Sequence, residues 1–258
     1  MLTDVDVRCT VGVLTDVDVR RTVGGQGLAT SLHRQLREYY VSDVTRHEVS
    51  LEGYRIDAVD DSGRLIEIQC ASLAAIRDKV RHLLQLQHSV TVVKPLAAAR
   101  RVTTISASDG SIQRSRRSPS KQTPAHIFLE LVHFGVFPSP KLQLDLLLTE
   151  QEELRLPPTA RSSWKKRYHV HDRRLVNVQQ RLTLETPRDL WQMLQIPADF
   201  PPVFSTAQLA EACAIPRWLA QKAAWCFRQM QFLELAGKQG NSLLYRRPAG
   251  GKKRRRVA

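Results

Sequence analysis

The segment from Tyr54 to Gln69 constrains the fold more than any other part of the chain, because two runs of alternating apolar and polar residues flank an Asp-Ser-Gly turn. This pattern predicts a β-hairpin. If the turn is a three-residue loop with Gly63 in the left-handed conformation, Asp60 faces Arg64 across the hairpin. The pairing of the two strands then follows along their whole length.

That pairing brings two acidic residues together. Counting back from the turn places Asp57 directly opposite Glu67, and the alternation of side chains along a strand puts Gln69 on the same face. The other face is predicted to be the core face, and it carries Ile56, Ala58, Ile66 and Ile68. Two opposed carboxylates repel each other and cost stability unless something offsets their charge.

A divalent cation is one way to offset such a pair. Mg²⁺ binds hard oxygen ligands, typically one or two carboxylates with water and phosphate, and such a site can activate water for phosphodiester cleavage. The competing interpretation is structural, since any half-exposed hairpin places acids and amides on its solvent-facing side. A register shift of one residue would also separate the pair. The hairpin alone leaves both interpretations open.

The elements around the hairpin favour the first interpretation. A helical segment, Ser31 to Val41, precedes the hairpin and carries Glu38, and His47 to Glu52 is predicted to be a strand. After the hairpin come a helix at about Leu73 to Gln87 and a β-branched run, Ser89 to Val93. The predicted order is therefore helix, three antiparallel strands, helix and strand.

With acids on its second and third strands, this order resembles the PD-(D/E)XK nuclease superfamily, which has the restriction-endonuclease-like fold. The resemblance covers residues 31 to 96 and rests on short motifs placed on the right elements. It implies that Asp57 and Glu67 bind Mg²⁺ or Mn²⁺. It also implies that Glu38 is the additional acid that some members carry on the first helix.

The last position of the motif departs from the superfamily pattern. Members usually have lysine there, whereas this chain has Gln69. Some active members have glutamine at this position, and others move the lysine to the following helix, where Lys79 is the first candidate and Arg77 the second. The resemblance thus implies that Gln69 and Lys79 position water or phosphate. Without such a group, nothing evident would stabilise the developing charge.

The C-terminal part of the chain predicts a second, small domain. Ser205 and Gln208 form a capping-box pattern at the start of one helix, and Pro216 suits the first turn of a longer one. A short hairpin is predicted over Leu233 to Arg247. This order resembles a winged helix-turn-helix domain over residues 202 to 248, whose second helix usually enters the DNA groove. The residues that the resemblance places against DNA are Arg217, Gln221, Lys222, Arg228, Lys238, Arg246 and Arg247.

The charge of the chain favours a polyanionic partner. Its net charge is +14, which suits nucleic acid first and an anionic membrane second. Between Thr30 and Leu96 nine basic residues balance nine acidic ones, so the excess lies elsewhere, including Arg100 to Lys121. Within that stretch, residues 111 to 123 are rich in serine and arginine and are expected to form a mobile basic loop.

Other features indicate the compartment and the partners. The sequence has no apolar run of about 18 residues, as a membrane-spanning helix requires, and its four cysteines show no Cys-x-x-Cys spacing. A reduced, intracellular protein is expected, in the cytoplasm, or in the nucleus of a eukaryote because of the basic tail. The predicted partner is DNA and not a membrane. A blunt double-strand cut requires a homodimer or two sequential nicks, and the sequence leaves both open.

The predicted organisation has five parts. They are a duplicated, disordered segment at residues 1–27, an α/β nuclease domain with a restriction-endonuclease-like mixed sheet flanked by helices at 28–150, a basic connection at 151–201, a winged-helix domain at 202–248 and a disordered basic tail at 249–258. The predicted function is metal-dependent endonucleolytic cleavage of DNA. Two alternatives stay open: a catalytically inactive DNA-binding protein on a decayed nuclease fold, and a non-enzymatic interaction protein.

Overall fold

The computed structural model describes residues 30–157 and 168–248. Three expectations therefore lie wholly or partly outside the described residues, namely the duplicated segment at 1–27, part of the basic connection at 151–201, and the tail at 249–258. Within the described residues the chain is of the mixed α/β class, with six α-helices and ten strands.

The helices and strands follow each other in mixed order along the chain. The helices are α1 (Ser31–Tyr40), α2 (Arg77–Gln85), α3 (Ile127–Phe134), α4 (Pro187–Met193), α5 (Thr206–Ala212) and α6 (Arg217–Gln229). The strands are β1 (His47–Leu51), β2 (Tyr54–Val59), β3 (Leu65–Ile68), β4 (Val90–Ile105), β5 (Ile112–Arg117), β6 (Leu142–Leu156), β7 (His169–Leu184), β8 (Val203–Ser205), β9 (Glu234–Gln239) and β10 (Ser242–Arg246). In the described ranges, no helix is both long and apolar enough to cross a bilayer.

Seven strands form one large mixed sheet. Their order is β1-β2-β3-β4-β6-β7, with β5 paired to β4 outside this path. The first three strands are an antiparallel series, because β1 pairs with β2 and β2 with β3. A second sheet has three strands in the order β8-β10-β9. The predicted class, an α/β protein with a large mixed sheet flanked by helices, is therefore confirmed.

The basic stretch at 111–123 contains a strand where a mobile loop was expected. β5 pairs antiparallel with the end of β4, and Thr104 is the partner of Arg114. A turn that contains Asp109 and Gly110 connects the two strands, with Gly110 at φ +74°. The expectation of a loop was wrong because every residue of β5 is exposed, so the sequence lacks the apolar alternation that would indicate a strand.

The chain divides into two compact units whose segments alternate along the sequence. The described part of the first unit comprises residues 30–70, 95–123, 147–157 and 168–181, and that of the second comprises residues 71–94, 124–146 and 182–248. Three strands, β4, β6 and β7, each contribute residues to both units.

In the first unit, the apolar stripe of α1 and the inner face of the hairpin are buried. Leu32 and Leu36 lie one helical turn apart and are both buried, as the periodicity of a helix predicts. The predicted core face of the hairpin is confirmed, since its four residues are at most 4% exposed: Ile56, Ala58, Ile66 and Ile68. Full burial of a branched aliphatic side chain stabilises the fold by about 1.5–3 kcal/mol.

In the second unit, an aromatic cluster forms much of the core. The ring of Trp191 on α4 lies 5.3 Å from that of Phe227 on α6 and 5.8 Å from that of Phe204. Phe227 also packs against Phe128 of α3, with 5.3 Å between the ring centroids. These contacts tie α3, α4 and α6 into one core, because paired aromatic rings at such distances attract beyond their burial alone.

The C-terminal elements appear in the predicted order. Ser205 and Gln208 form the predicted capping box at the start of α5. The longer helix, α6, begins directly after Pro216. β9 and β10 form the predicted antiparallel hairpin, and β8 adds a third strand to it.

Candidate functional site

The hairpin formed by β2 and β3 has the predicted register. Ala58 pairs with Ile66, and beyond the strands the amide of Asp60 donates a hydrogen bond of 3.0 Å to the carbonyl of Arg64. Gly63 occupies the left-handed region at φ +80°, as a three-residue loop of this kind requires. Continued by one residue, the register places Asp57 opposite Glu67.

Asp60 fixes the turn that sets this register. Its carboxylate accepts hydrogen bonds from the amides of Ser62 and Arg64, at 2.9 and 3.0 Å. Partial burial raises the pKa of Asp60, but these bonds and that from the Ser62 hydroxyl outweigh it, so its pKa lies below the ordinary value. The ionised carboxylate therefore holds the loop at neutral pH.

The ladder between β2 and β3 opens at Asp57. Bonded pairs alternate along an antiparallel ladder, so the amide of Ile68 would ordinarily donate to the carbonyl of Ile56. It donates instead to Oδ2 of Asp57, at 2.7 Å. The carboxylate of Asp57 thus takes the place of the Ile56 carbonyl as acceptor, and the hydrogen bond from the Ile68 amide fixes the position of the carboxylate.

A histidine from α1 also holds Asp57. The ring Nε2 of His33 lies 3.2 Å from Oδ2 of Asp57, and both side chains are about one-fifth exposed. The other ring nitrogen of His33, Nδ1, is buried and has no hydrogen-bond partner among the described residues. The sequence analysis did not identify His33 as a site residue, although it lies in the predicted first helix.

Glu67 is buried, with 3% of its surface exposed. Its neighbours Leu65, Ile66 and Ile68 are also buried, so β3 is covered on both faces. The side of the hairpin that carries the acids is therefore not solvent-exposed at this point. Desolvation is costly for a carboxylate, and a cation beside Glu67 would lower that cost.

The structure places the other predicted catalytic residues in different surroundings. Gln69 directly follows the end of β3 and is half-buried. Glu38 is exposed on α1, five residues after His33 and therefore about 140° further around the helix axis. Lys79 lies on α2, in the second unit, whereas Asp57 lies in the first. Among the predicted residues, the hairpin thus brings together Asp57 and Glu67, and the roles of the other three stay predictions.

The donor set suits a hard cation with few protein ligands. Within residues 30–157 and 168–248, no group of three or more His, Cys, Asp or Glu side chains is placed to hold a metal ion. Asp57 and Glu67 offer two carboxylates. Mg²⁺ is commonly held by one or two carboxylates, with water and phosphate oxygens completing its shell. The pair therefore fits Mg²⁺ or Mn²⁺, and it does not resemble a closed structural metal site.

The residues predicted to contact DNA are mostly exposed. Six of the seven are exposed and Lys222 is half-buried; the six are Arg217, Gln221, Arg228, Lys238, Arg246 and Arg247. The guanidinium of Arg246 pairs with Glu234 at 2.7 Å, and that of Arg247 lies 5.8 Å from the ring of Trp191. Four of the seven lie on α6 and three on the β9–β10 hairpin or directly after it.

Sequence reasoning missed two tryptophans on α6. Trp218 and Trp225 are 48% and 44% exposed. They are seven residues apart, so they lie on one side of the helix at a separation of about 10.5 Å along its axis. Their spacing of seven residues could have revealed them, because it places both tryptophans on the side of α6 that also carries Gln221 and Arg228.

Comparisons with known proteins place the chain in a family. A family model described as a domain of unknown function, DUF8091, matches residues 30–185. A protein of Treponema pallidum (strain Nichols), described as an uncharacterized protein, is 26% identical over 232 residues, which span 87% of this chain and 88% of that protein. No solved structure matches. Because the family model covers more than half of its residues, the chain belongs to the DUF8091 family.

Proposed function

We propose that this protein is a metal-dependent endonuclease that cleaves DNA phosphodiester bonds at Asp57 and Glu67. The observation that carries the proposal is the hairpin register, in which Ala58 pairs with Ile66; continued by one residue, it opposes the two carboxylates of β2 and β3. The order of α1, β1 to β3, α2 and β4 supports a restriction-endonuclease-like fold for this part of the chain. The proposed cofactor is Mg²⁺ or Mn²⁺.

The chain itself supplies a preorganised acid. The Ile68 amide and His33 both contact Oδ2 of Asp57, so this oxygen is fixed and the carboxylate keeps its orientation. Glu67 lies across the hairpin in a buried position, where electrostatic interactions are stronger than in water. A bound divalent cation would supply activation of water and stabilisation of the leaving oxygen. Gln69 is proposed to position water or phosphate.

We also propose that the C-terminal elements form a winged-helix domain that binds DNA. Two helices followed by a hairpin, with the exposed arginines of α6 and of the β10 strand, support this assignment. In such a domain α6 would face the groove and the β9–β10 hairpin would be the wing. No acidic residue lies on α6, so the helix would meet the phosphates of DNA without charge repulsion.

The test of the nuclease is a cleavage assay on labelled duplex and supercoiled DNA with Mg²⁺ or Mn²⁺. The wild-type chain is compared with Asp57→Asn and Glu67→Gln, which preserve side-chain shape but remove the charge. Asp61→Asn is the matched control, because Asp61 lies in the same hairpin with its side chain 99% exposed. Cleavage by the wild type and the control, and none by the two variants, is expected.

A second candidate is a DNA-binding protein without nuclease activity. It is favoured by Gln69, which occupies the position where the superfamily usually has lysine. DNA binding that persists while neither metal supports cleavage would select this candidate over the nuclease. A chain that binds no DNA even at low salt would refute both candidates and leave an interaction protein, because phosphate contacts are strongest at low salt.

A further inference from the structure

The exposed edge strand β5 carries an unusual concentration of positive charge. All six of its residues are exposed, and three of them are Arg114, Arg116 and Arg117. Residues 100 to 121 contain six basic residues and one acidic residue, Asp109. The carboxylate of Asp109 accepts hydrogen bonds from Ser111, within its own turn. This edge is thus strongly basic.

Two of these arginines oppose each other across the strands. The register of β4 and β5 sets Arg101 directly against Arg117, and both residues are exposed. Like charges in directly opposed positions destabilise an antiparallel pair. Charged residues on an edge strand also discourage pairing with other chains, but that role does not require opposed arginines.

The arginines of this edge form no ion pair with any described residue. This holds for Arg101, Arg114, Arg116 and Arg117, whereas Arg37, Arg100, Arg155 and Arg173 of the first unit each pair with a glutamate. Arg100, the neighbour of Arg101, instead turns toward Glu153 at 3.4 Å. The four guanidiniums are therefore free to meet an external anion, and their planar shape suits phosphate oxygens.

We propose that β5, together with Arg101 of β4, is a binding surface for the phosphate backbone of duplex DNA. The proposal rests on the proposed nuclease function for the identity of the polyanion. The surface would bind without reading sequence, since phosphate contacts position a protein on DNA but do not specify bases. Bound phosphates would also offset the repulsion between Arg101 and Arg117.

The experiment measures binding of the full chain to a labelled duplex by fluorescence anisotropy, in EDTA, between about 50 and 200 mM salt. The test variant is the triple substitution R114Q/R116Q/R117Q. The matched control is R34Q/R81Q/R188Q, which removes the same charge from three exposed arginines on α1, α2 and α4. A third variant, R114K/R116K/R117K, retains the charge.

The salt dependence distinguishes direct contacts from general attraction. Each lost phosphate contact lowers the slope of log K against log salt by about 0.9. For the test variant, the magnitude of the slope is therefore expected to fall by about 1 to 2.7, and the affinity for the duplex by at least about tenfold. The control is expected to retain the wild-type slope, and the lysine variant most of it. Equal slopes for the test variant and the control would overturn the proposal.

This result is independent of cleavage. Because EDTA removes the metal, a protein with no nuclease activity still shows whether β5 contacts DNA. Vesicles with anionic lipid serve as the competing polyanion. If the test variant lost vesicle binding while keeping its duplex affinity, the surface would belong to a membrane and the proposal would be refuted.

Discussion

Replacement of Glu153 by glutamine should destabilise the first unit strongly. Glu153 lies on β6, is 2% exposed, and its carboxylate meets three guanidiniums. Arg155, on the same strand, contacts Oε1 at 2.6 and 2.7 Å. Arg173 of β7 and Arg100 of β4 contact Oε2 at 3.0 and 3.4 Å. One carboxylate thus connects three strands that are neighbours in the sheet.

The magnitude follows from these contacts. A hydrogen bond to a charged group contributes about 1.5–3 kcal/mol and a neutral one about 0.5–1.5 kcal/mol, so weakening the bonds from Arg155 costs about 2 kcal/mol. The bonds from Arg173 and Arg100 add less, because Arg173 is more than one-third exposed and solvent screens it. Removal of one partner from a fully buried ion pair costs about 3–5 kcal/mol, which is an upper limit. We expect Glu153→Gln to lower the free energy of unfolding by about 2–3 kcal/mol.

The pH dependence provides an internal check. Burial raises the pKa of Glu153, but hydrogen bonds from Arg155 and Arg173 and the charge of Arg100 outweigh it, so its pKa lies below the ordinary value of 4.5. A carboxyl whose folded pKa is lowered contributes stability above its unfolded pKa, and that stability is lost as pH falls through the folded value. The difference in free energy of unfolding between the wild type and Glu153→Gln should therefore have its full size at neutral pH and become smaller below pH 4.5.

Thermal unfolding monitored by circular dichroism measures this effect. For a chain of this size the expected loss lowers Tm by about 5–10 °C. Glu150→Gln is the control, since Glu150 lies on the same strand, half-buried, and forms no hydrogen bond or ion pair with a described residue. A shift no larger than that of the control, or a difference that does not shrink in acid, would refute the reasoning.

Three further measurements test other parts of the structure. Gly63→Ala should lower the stability of the hairpin by about 1 kcal/mol in urea unfolding, because Gly63 adopts φ +80°; an unchanged midpoint would contradict the turn geometry. Burial raises the pKa of Cys213 to about 11 and of Cys226 to about 12. In the native protein at pH 8, Cys213 should therefore react with iodoacetamide about a hundredfold more slowly than a free thiol, and Cys226 about a thousandfold more slowly. Duplex DNA should quench the fluorescence of Trp218 and Trp225 if α6 contacts it, and a signal that stays constant at saturating DNA would place the contact elsewhere.

The hairpin could be predicted from the sequence because its determinants are local. Asp60, Gly63 and Arg64 lie within five residues, and together they set the loop and hence the register of both strands. The core face of the hairpin followed from alternation alone. The capping box at Ser205 and Gln208 was predictable for the same reason, since its two hydrogen bonds join residues three apart.

Features that depend on packing between distant segments could not be predicted. The contact between His33 and Asp57 joins residues 24 apart and requires α1 to pack on the hairpin. The burial of Glu67 requires both faces of β3 to be covered, which the pattern of one strand does not reveal. β5 escaped prediction because a fully exposed edge strand has no apolar period.

In the folded chain, the carboxylate of Asp57 is held in place by hydrogen bonds from within the protein. From sequence alone, a cation was one way to offset two opposed carboxylates. In the folded chain, Asp57 is already held by the amide of Ile68 and by His33, so the fold and not a ligand fixes its position. Glu67 is buried beside it, where a cation would reduce the cost of desolvation. A metal at this pair would bind an acid that is already oriented, so its binding energy would be available for chemistry and not be spent on ordering the hairpin.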